Sequence, residues 1–210
     1  MNKSNILCHR GLWQKKDDQN SLVSFKKAFE SGFGIETDVR DFHSRLVISH
    51  DPPITNALVY LDDLFELYNH LHIEKTIAIN IKSDGISLAI RDLIEKYNIE
   101  NFFTFDMSIP ELLQYKSLAI RYFSRISEYE REAALIDGAI GIWLDVFESE
   151  WYSEEYLMNL MNDKLVCFVS SELHGRDYRP QWATIKKCSK GNNFMLCTDK
   201  PNRAKKYFND

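Results

Sequence analysis

Short apolar runs alternate with amphipathic segments along nearly the whole chain, and this alternation limits the fold more than any single motif. Ile6 to His9, Gly34 to Val39, Thr76 to Ile81, Phe102 to Phe105, Ala119 to Phe123, Gly141 to Phe147, Leu165 to Val169 and Phe194 to Cys197 each read as a strand. Leu46 to Ser49 reads as a short extension from the second of them. Between the strands, apolar residues recur at helical spacing. Leu22, Phe25, Ala28 and Phe29 precede Gly32, with Asn20 as a good N-cap. Further helices are predicted from Leu61 to Tyr68, Ile86 to Tyr97, Pro110 onward, Glu130 to Leu135, Ser153 to Met161, Pro180 to Lys187 and Pro201 to Phe208. Strands alternating with helices imply a parallel sheet, and eight such units close a barrel. The expectation is a compact (β/α)8 TIM barrel, one domain over residues 1–210 with short loops. An open doubly wound sheet is the alternative. It is weakened by the absence of any glycine-rich phosphate or dinucleotide loop.

Bulk properties narrow the class. The net charge of -5 argues against nucleic acid or an anionic membrane as the main partner. No apolar stretch suggests a signal peptide or a membrane span. Cys8, Cys167, Cys188 and Cys197 lie far apart and form no Cys-x-x-Cys pair, so they read as buried thiols in a reducing compartment. Cytoplasmic location is expected on that ground; oligomeric state stays open.

Catalytic groups in such a barrel come from the C-terminal ends of the strands and the loops after them. Polar residues fall at those points: His9 and Arg10, Glu36 and Asp38, Asn80 and Lys82, Asp106, Ser124 and Arg125, Asp145, Glu172, then Thr198 and Asp199. His50-Asp51 follows the short extension. Glu36 and Asp38 project to the same side of their strand, about 6 to 7 Å apart, and can converge on one ion. Oxygen ligands favour Mg²⁺, Ca²⁺ or Mn²⁺ over zinc. Two histidines able to exchange protons, two carboxylates and an arginine form a set suited to phosphate chemistry.

His9-Arg10-Gly11 after a short strand, Gln19-Asn20-Ser21, then Phe25, Ala28 and Gly32, Gly34-Ile35-Glu36-Thr37-Asp38-Val39 and His50-Asp51-Pro52 together resemble a glycerophosphodiester phosphodiesterase. That family is a barrel related to phosphatidylinositol-specific phospholipases C. The likeness is strong over residues 6 to 52 and weaker over 76 to 82. Beyond that it is confined to Cys197-Thr198-Asp199-Lys200-Pro201. It implies a metal-dependent phosphodiester hydrolase acting on a small-molecule substrate. His9 and His50 would be the acid–base pair, and Arg10 and Lys82 would bind phosphate. Glu36, Asp38 and Asn80 would hold a divalent ion, Mg²⁺ or Ca²⁺. Two positions depart from the family pattern. Gln19-Asn20 replaces Glu-Asn, and Asn80 stands where the family has a third, acidic metal ligand. An amide oxygen still coordinates a hard cation but removes a negative charge, which weakens binding unless Asp106, Asp145 or Glu172 moves in. The stretch from His50-Asp51 to Asn80 is also short for the family's substrate-covering insertion, implying a more open pocket.

Other readings remain. A lyase would stop at the cyclic phosphate, and an impaired barrel would bind a phosphorylated ligand without turnover. Glu172, His174 and Arg176, in the segment Ser170 to Arg176, are candidate substrate contacts together with Asp145. Trp143, Trp151, Tyr152 and Tyr156 read as packing residues, while His43, His70 and His72 read as surface.

Overall fold

The computed structural model describes residues 5–54, 58–189 and 193–209. Ten strands form one sheet: β1 (Ile6–His9), β2 (Gly34–Phe42), β3 (Arg45–Ile48), β4 (Val59–Tyr60), β5 (Ile77–Ile81), β6 (Phe102–Phe105), β7 (Phe123–Ile126), β8 (Gly141–Leu144), β9 (Leu165–Val169) and β10 (Phe194–Thr198). Parallel pairing runs β5–β2–β1–β10–β9–β8–β7 on one path, and β6 pairs with β5. A parallel bridge between Thr104 and Tyr122 joins β6 to the segment leading into β7. That bridge closes the ring. The expected barrel is therefore present, with β3 and β4 as an antiparallel extension of β2 outside it.

Period-two alternation sorts the side chains into two cores. Leu7, Ala78, Phe103, Phe105, Phe123, Trp143, Cys167, Val169, Met195 and Cys197 pack together as one buried cluster. Their strand neighbours, among them Ile6, Cys8, Ile35, Ile77, Ile142, Val166 and Phe168, belong to a second cluster shared with helix residues. The first set thus fills the barrel and the second the layer between strands and helices. Inside, the rings of Phe103 and Phe123 stack at 3.8 Å, as do those of Phe105 and Trp143. This aromatic plug leaves the polar side chains at the C-terminal strand ends above it.

The helices are α1 (Leu22–Glu30), α2 (Leu61–His70), α3 (Ser87–Tyr97), α4 (Ile109–Ser117), α5 (Glu154–Asp163), α6 (Tyr178–Cys188) and α7 (Pro201–Asn209). Three expectations need correction. The N-cap of α1 is Ser21, whose Oγ accepts from the N–H of Ser24 at 3.2 Å, while Asn20 sits before it with φ 54°. The fifth barrel strand is Phe123–Ile126 rather than Ala119 to Phe123. Ala119 (φ 55°) closes α4, donating to the carbonyl of Lys116, and pairing with β8 sets Phe123 opposite Gly141. No helix forms over Glu130 to Leu135, so one unit lacks its helix. There the carbonyl of Ala134 accepts from Ser124 Oγ, and that of Leu135 from both Tyr122 Oη and the N–H of Gly138, which anchors the stretch as irregular backbone. A short 3-10 turn, Ile136–Gly138, follows instead.

The four cysteines are buried and free. Among the described residues, no helix is long and apolar enough to cross a membrane.

Candidate active site

One cavity of about 770 Å³ opens at the C-terminal end of the barrel. It is lined by His9, Arg10, Glu36, Asp38, His50, Asn80, Lys82, Asp145, Glu172 and His174, so ten of the eleven candidate residues come together. Arg176 does not join them. Its guanidinium pairs with Glu150 at 2.7 Å and donates to the carbonyl of Val146.

The end of β1 builds one wall. Arg10 (φ 55°) and Gly11 (φ 89°) turn the chain back under α1. A Cβ on Gly11 would stand 2.3 Å from Ser24 Oγ, so His-Arg-Gly ends in the residue this turn admits. The turn aims the Arg10 N–H at Glu36 Oε2 (3.2 Å) and places its Nε 2.9 Å from Asp38 Oδ2. His9 Nδ1 lies 2.8 Å from Asp199 Oδ1, and Trp13 Nε1 donates to the His9 carbonyl at 3.0 Å. Burial alone would lower the His9 pKa. The Asp199 hydrogen bond and the charges of Glu36 and Asp199 outweigh it and lift the imidazole above its ordinary value. His50 enters from the far end of β3, with Nδ1 2.9 Å from Asp51 Oδ1 and its side chain 45% exposed. Between His50 and α2 the described residues include the two-residue strand β4.

Glu36 and Asp38 are 2% and 1% exposed. Two carboxylates so deeply buried are costly unless charge compensates. Lys82 Nζ lies 3.3 Å from Asp38 Oδ1, and Asn20 Nδ2 donates to Oδ2 at 2.9 Å. Burial would raise the Asp38 pKa, but Lys82, Arg10 and Asn20 hold it below the usual carboxylate range. Glu36 moves the other way, pushed up by burial and then by the neighbouring Asp38 charge. Asn20, like Asp199, holds a position at the site to which the sequence reading assigned no role. It is fixed in turn by Thr37 Oγ1 at 3.0 Å.

The same wall bears on a metal. Asp38 and Asn80 are paired in register across β2 and β5. Their Oδ1 atoms are buried, and among the described residues neither accepts a hydrogen bond. A buried amide oxygen without a donor and a carboxylate oxygen held only by the Lys82 ion pair, beside the Glu36 carboxylate, are acceptors that a hard cation would satisfy, so the donor set fits Mg²⁺ or Ca²⁺. No group of three His, Cys, Asp or Glu side chains among the described residues is arranged to hold a metal. The carboxylates that might have replaced it are engaged elsewhere. Asp106 pairs with Arg125 at 2.7 Å and Asp145 with His174 at 2.7 Å. Glu172 accepts from Thr198 Oγ1, Ser170 Oγ and the N–H of Asp199, so it ties β9 to β10.

No family model matches the sequence, and no curated protein matches it. Solved structures do. A chain from Galdieria sulphuraria assigned to the glycerophosphodiester phosphodiesterases superposes with a TM-score of 0.77 at 16% identity, covering 100% of this chain and 98% of that one. The fold is that of the glycerophosphodiester phosphodiesterases. A phosphodiesterase from Oleispira antarctica, solved with the product sn-glycerol-3-phosphate, gives 0.72 at 12% identity over 98% of this chain and 97% of its own. A Ca²⁺-dependent phosphatidylinositol-specific phospholipase C from Streptomyces antibioticus gives 0.53 at 10% identity, covering 99% and 98%. These likenesses establish the architecture; the site is read from this chain's own residues.

Proposed function

We propose that the chain is a phosphoric diester hydrolase acting on glycerophosphodiesters or closely related small diesters. One observation carries the reading. Two histidines, each braced at Nδ1 by a carboxylate, line the same cavity as Arg10 and Lys82. A carboxylate at Nδ1 fixes the ring orientation and leaves Nε2 for the substrate. A binding site alone has no need of paired acid–base groups.

Hydrolysis needs an attacking oxygen, neutralised phosphate oxygens and a protonated leaving group. Arg10 and Lys82 supply positive charge to the phosphate. In the reaction we propose, a hydroxyl next to the ester attacks phosphorus while one histidine takes its proton. The P–O bond to the alcohol breaks, and the other histidine protonates the departing oxygen. Water then opens the cyclic phosphate with the two histidines in exchanged roles. Glu36, Asp38 and Asn80 are the residues that would hold a divalent cation, which when bound polarises a phosphate oxygen and acidifies a hydroxyl. Asn20 keeps Asp38 oriented, and Asp199 keeps His9 oriented. Four free, buried thiols support a reducing compartment such as the cytoplasm.

The test is ³¹P NMR of a glycerophosphodiester panel incubated with purified protein in Mg²⁺, Ca²⁺ or chelator. A linear phosphomonoester that accumulates with metal and not with chelator is the expected result. Accumulation of a cyclic phosphate alone would make the enzyme a lyase. An unchanged diester would leave a phosphate-binding barrel.

A further inference from the structure

The ring divides into two halves. Strands β10, β1, β2 and β5 carry Asp199, His9, Glu36, Asp38 and Asn80, the groups suited to phosphate and metal. Strands β6, β8 and β9 and the loops after them carry Asp106, Asp145, Glu172 and His174 into the same cavity. On the reading above, a diester whose phosphate rests on the first half must present its alcohol group to the second. Asp106 is committed to Arg125, and Glu172 to the strand clamp. His174 stands differently.

The imidazole of His174 bonds through Nε2 to Asp145 Oδ1 at 2.7 Å. Asp145 Oδ1 is itself fixed by the N–H of Val146 at 2.8 Å, and the Asp145 side chain is 8% exposed. With Nε2 engaged, Nδ1 is the nitrogen open to a ligand. The turn that carries His174 is braced. Ser171 N–H donates to the buried Gln181 Oε1 at 2.9 Å, and Ser171 Oγ donates to Glu150 at 2.7 Å. Arg176 clips the same Glu150, so its place outside the cavity has a purpose. Phe147 lies with its ring 5.1 Å from the His174 ring, on a loop whose N–H groups at Phe147, Glu148 and Ser149 all donate to Glu128. A ring held on two braced elements is preorganised to read a hydrogen-bonding group.

We propose that His174, oriented by Asp145, recognises a hydroxyl on the alcohol side of the diester, which makes small polyols the preferred leaving groups. A quaternary ammonium group would call for an open aromatic face and an unpaired carboxylate. Here Trp143 is stacked on Phe105, the Phe147 ring is set against His174, and Asp106 and Asp145 are already engaged by Arg125 and His174. With Nε2–H directed at Asp145, Nδ1 accepts and is matched by a hydroxyl that donates to it, and a hydrogen-bonding site rejects analogues that lack the group.

This inference rests on the phosphodiesterase reading, and its test separates the two. Kinetics with glycerophosphoglycerol, glycerophosphocholine and methyl glycerophosphate are compared for wild type, His174→Ala, His174→Gln and Asp145→Asn. The same three diesters are titrated by calorimetry into wild type and His174→Ala. His174→Ala is expected to raise KM for the polyol diester about tenfold or more, while kcat and the methyl ester change less than about twofold. His174→Gln, which keeps a hydrogen-bonding edge, should recover part of the preference. If no diester is turned over but wild type binds the polyol diester preferentially and His174→Ala does not, the recognition stands and the catalytic reading falls. Equal losses for polyol and methyl diesters, or the same ranking in both proteins, would overturn it.

Discussion

Asp199 is 190 residues from His9 in sequence, yet its carboxylate sits 2.8 Å from His9 Nδ1. A histidine so braced presents a single ring nitrogen to the cavity, and the brace is itself aligned by Glu172, which accepts the Asp199 N–H at 3.2 Å. Asp199→Asn keeps an acceptor but removes the charge that supports the protonated ring. It should lower kcat roughly 10- to 100-fold with little change in KM. ¹⁵N NMR should show the His9 tautomer population disturbed. An unchanged tautomer and unchanged kcat would mean that Asp199 only fills space. Short-range patterning made His9, Arg10, Glu36, Asp38, His50 and Lys82 readable, because each follows an apolar run that ends at the barrel rim. Asp199 and Asn20 were read as a strand end and a helix cap within the family motifs, with no role of their own. Their roles depend on partners that the closed ring and the α1 turn bring to them, and linear spacing encodes neither. Arg176 shows the converse: a basic residue in a promising loop whose charge is spent on Glu150.

Among the elements, the stretch between β7 and β8 shows where tertiary contacts and local propensity part. Its helix-like sequence runs instead as irregular backbone, pinned where Ser124 and Tyr122 donate to the carbonyls of Ala134 and Leu135. The same stretch carries Glu128, which receives the N–H groups of Phe147, Glu148 and Ser149 and so ties the loop after β8 to the rim. Burial would raise the Glu128 pKa, but these backbone donors outweigh it and hold the carboxyl below its ordinary value. A depressed native pKa stabilises the fold above the unfolded-state value, and that contribution is lost as pH falls through the native one. Protection of the 147–149 amides against hydrogen exchange should therefore fall in acid in the wild type. In Glu128→Gln it should already be reduced at neutral pH and change little on acidification. Equal protection in both proteins at neutral pH would show that the loop is held by something else.

At the scale of the whole molecule, barrel closure depends on one narrow seam. β6 and the approach to β7 meet through a single bridge, Thr104 to Tyr122, whereas other neighbouring ring strands share three or more register pairs. Ring stacking compensates from inside: Phe103 and Phe123, each 2% exposed, lie across this seam at 3.8 Å. Phe123→Ala should cost about 3–5 kcal/mol, measured by urea unfolding, because the cavity opens where backbone pairing is thinnest. A loss below about 1 kcal/mol would show that the seam collapses around the void. The alternation of strands and helices made eight-strand closure readable from sequence. The place where closure is weakest follows from register and could only be seen in three dimensions.

The central claim is that His9 and His50 act as a pair on a phosphodiester held in this cavity. It is tested most directly by turnover of glycerophosphodiesters in saturating divalent metal for wild type, His9→Ala and His50→Ala, with unfolding curves confirming that each variant is folded. The account predicts that either substitution lowers kcat by about 10²- to 10⁴-fold, and that the double variant loses little more than the worse single one. Turnover undiminished in either folded single variant would contradict it.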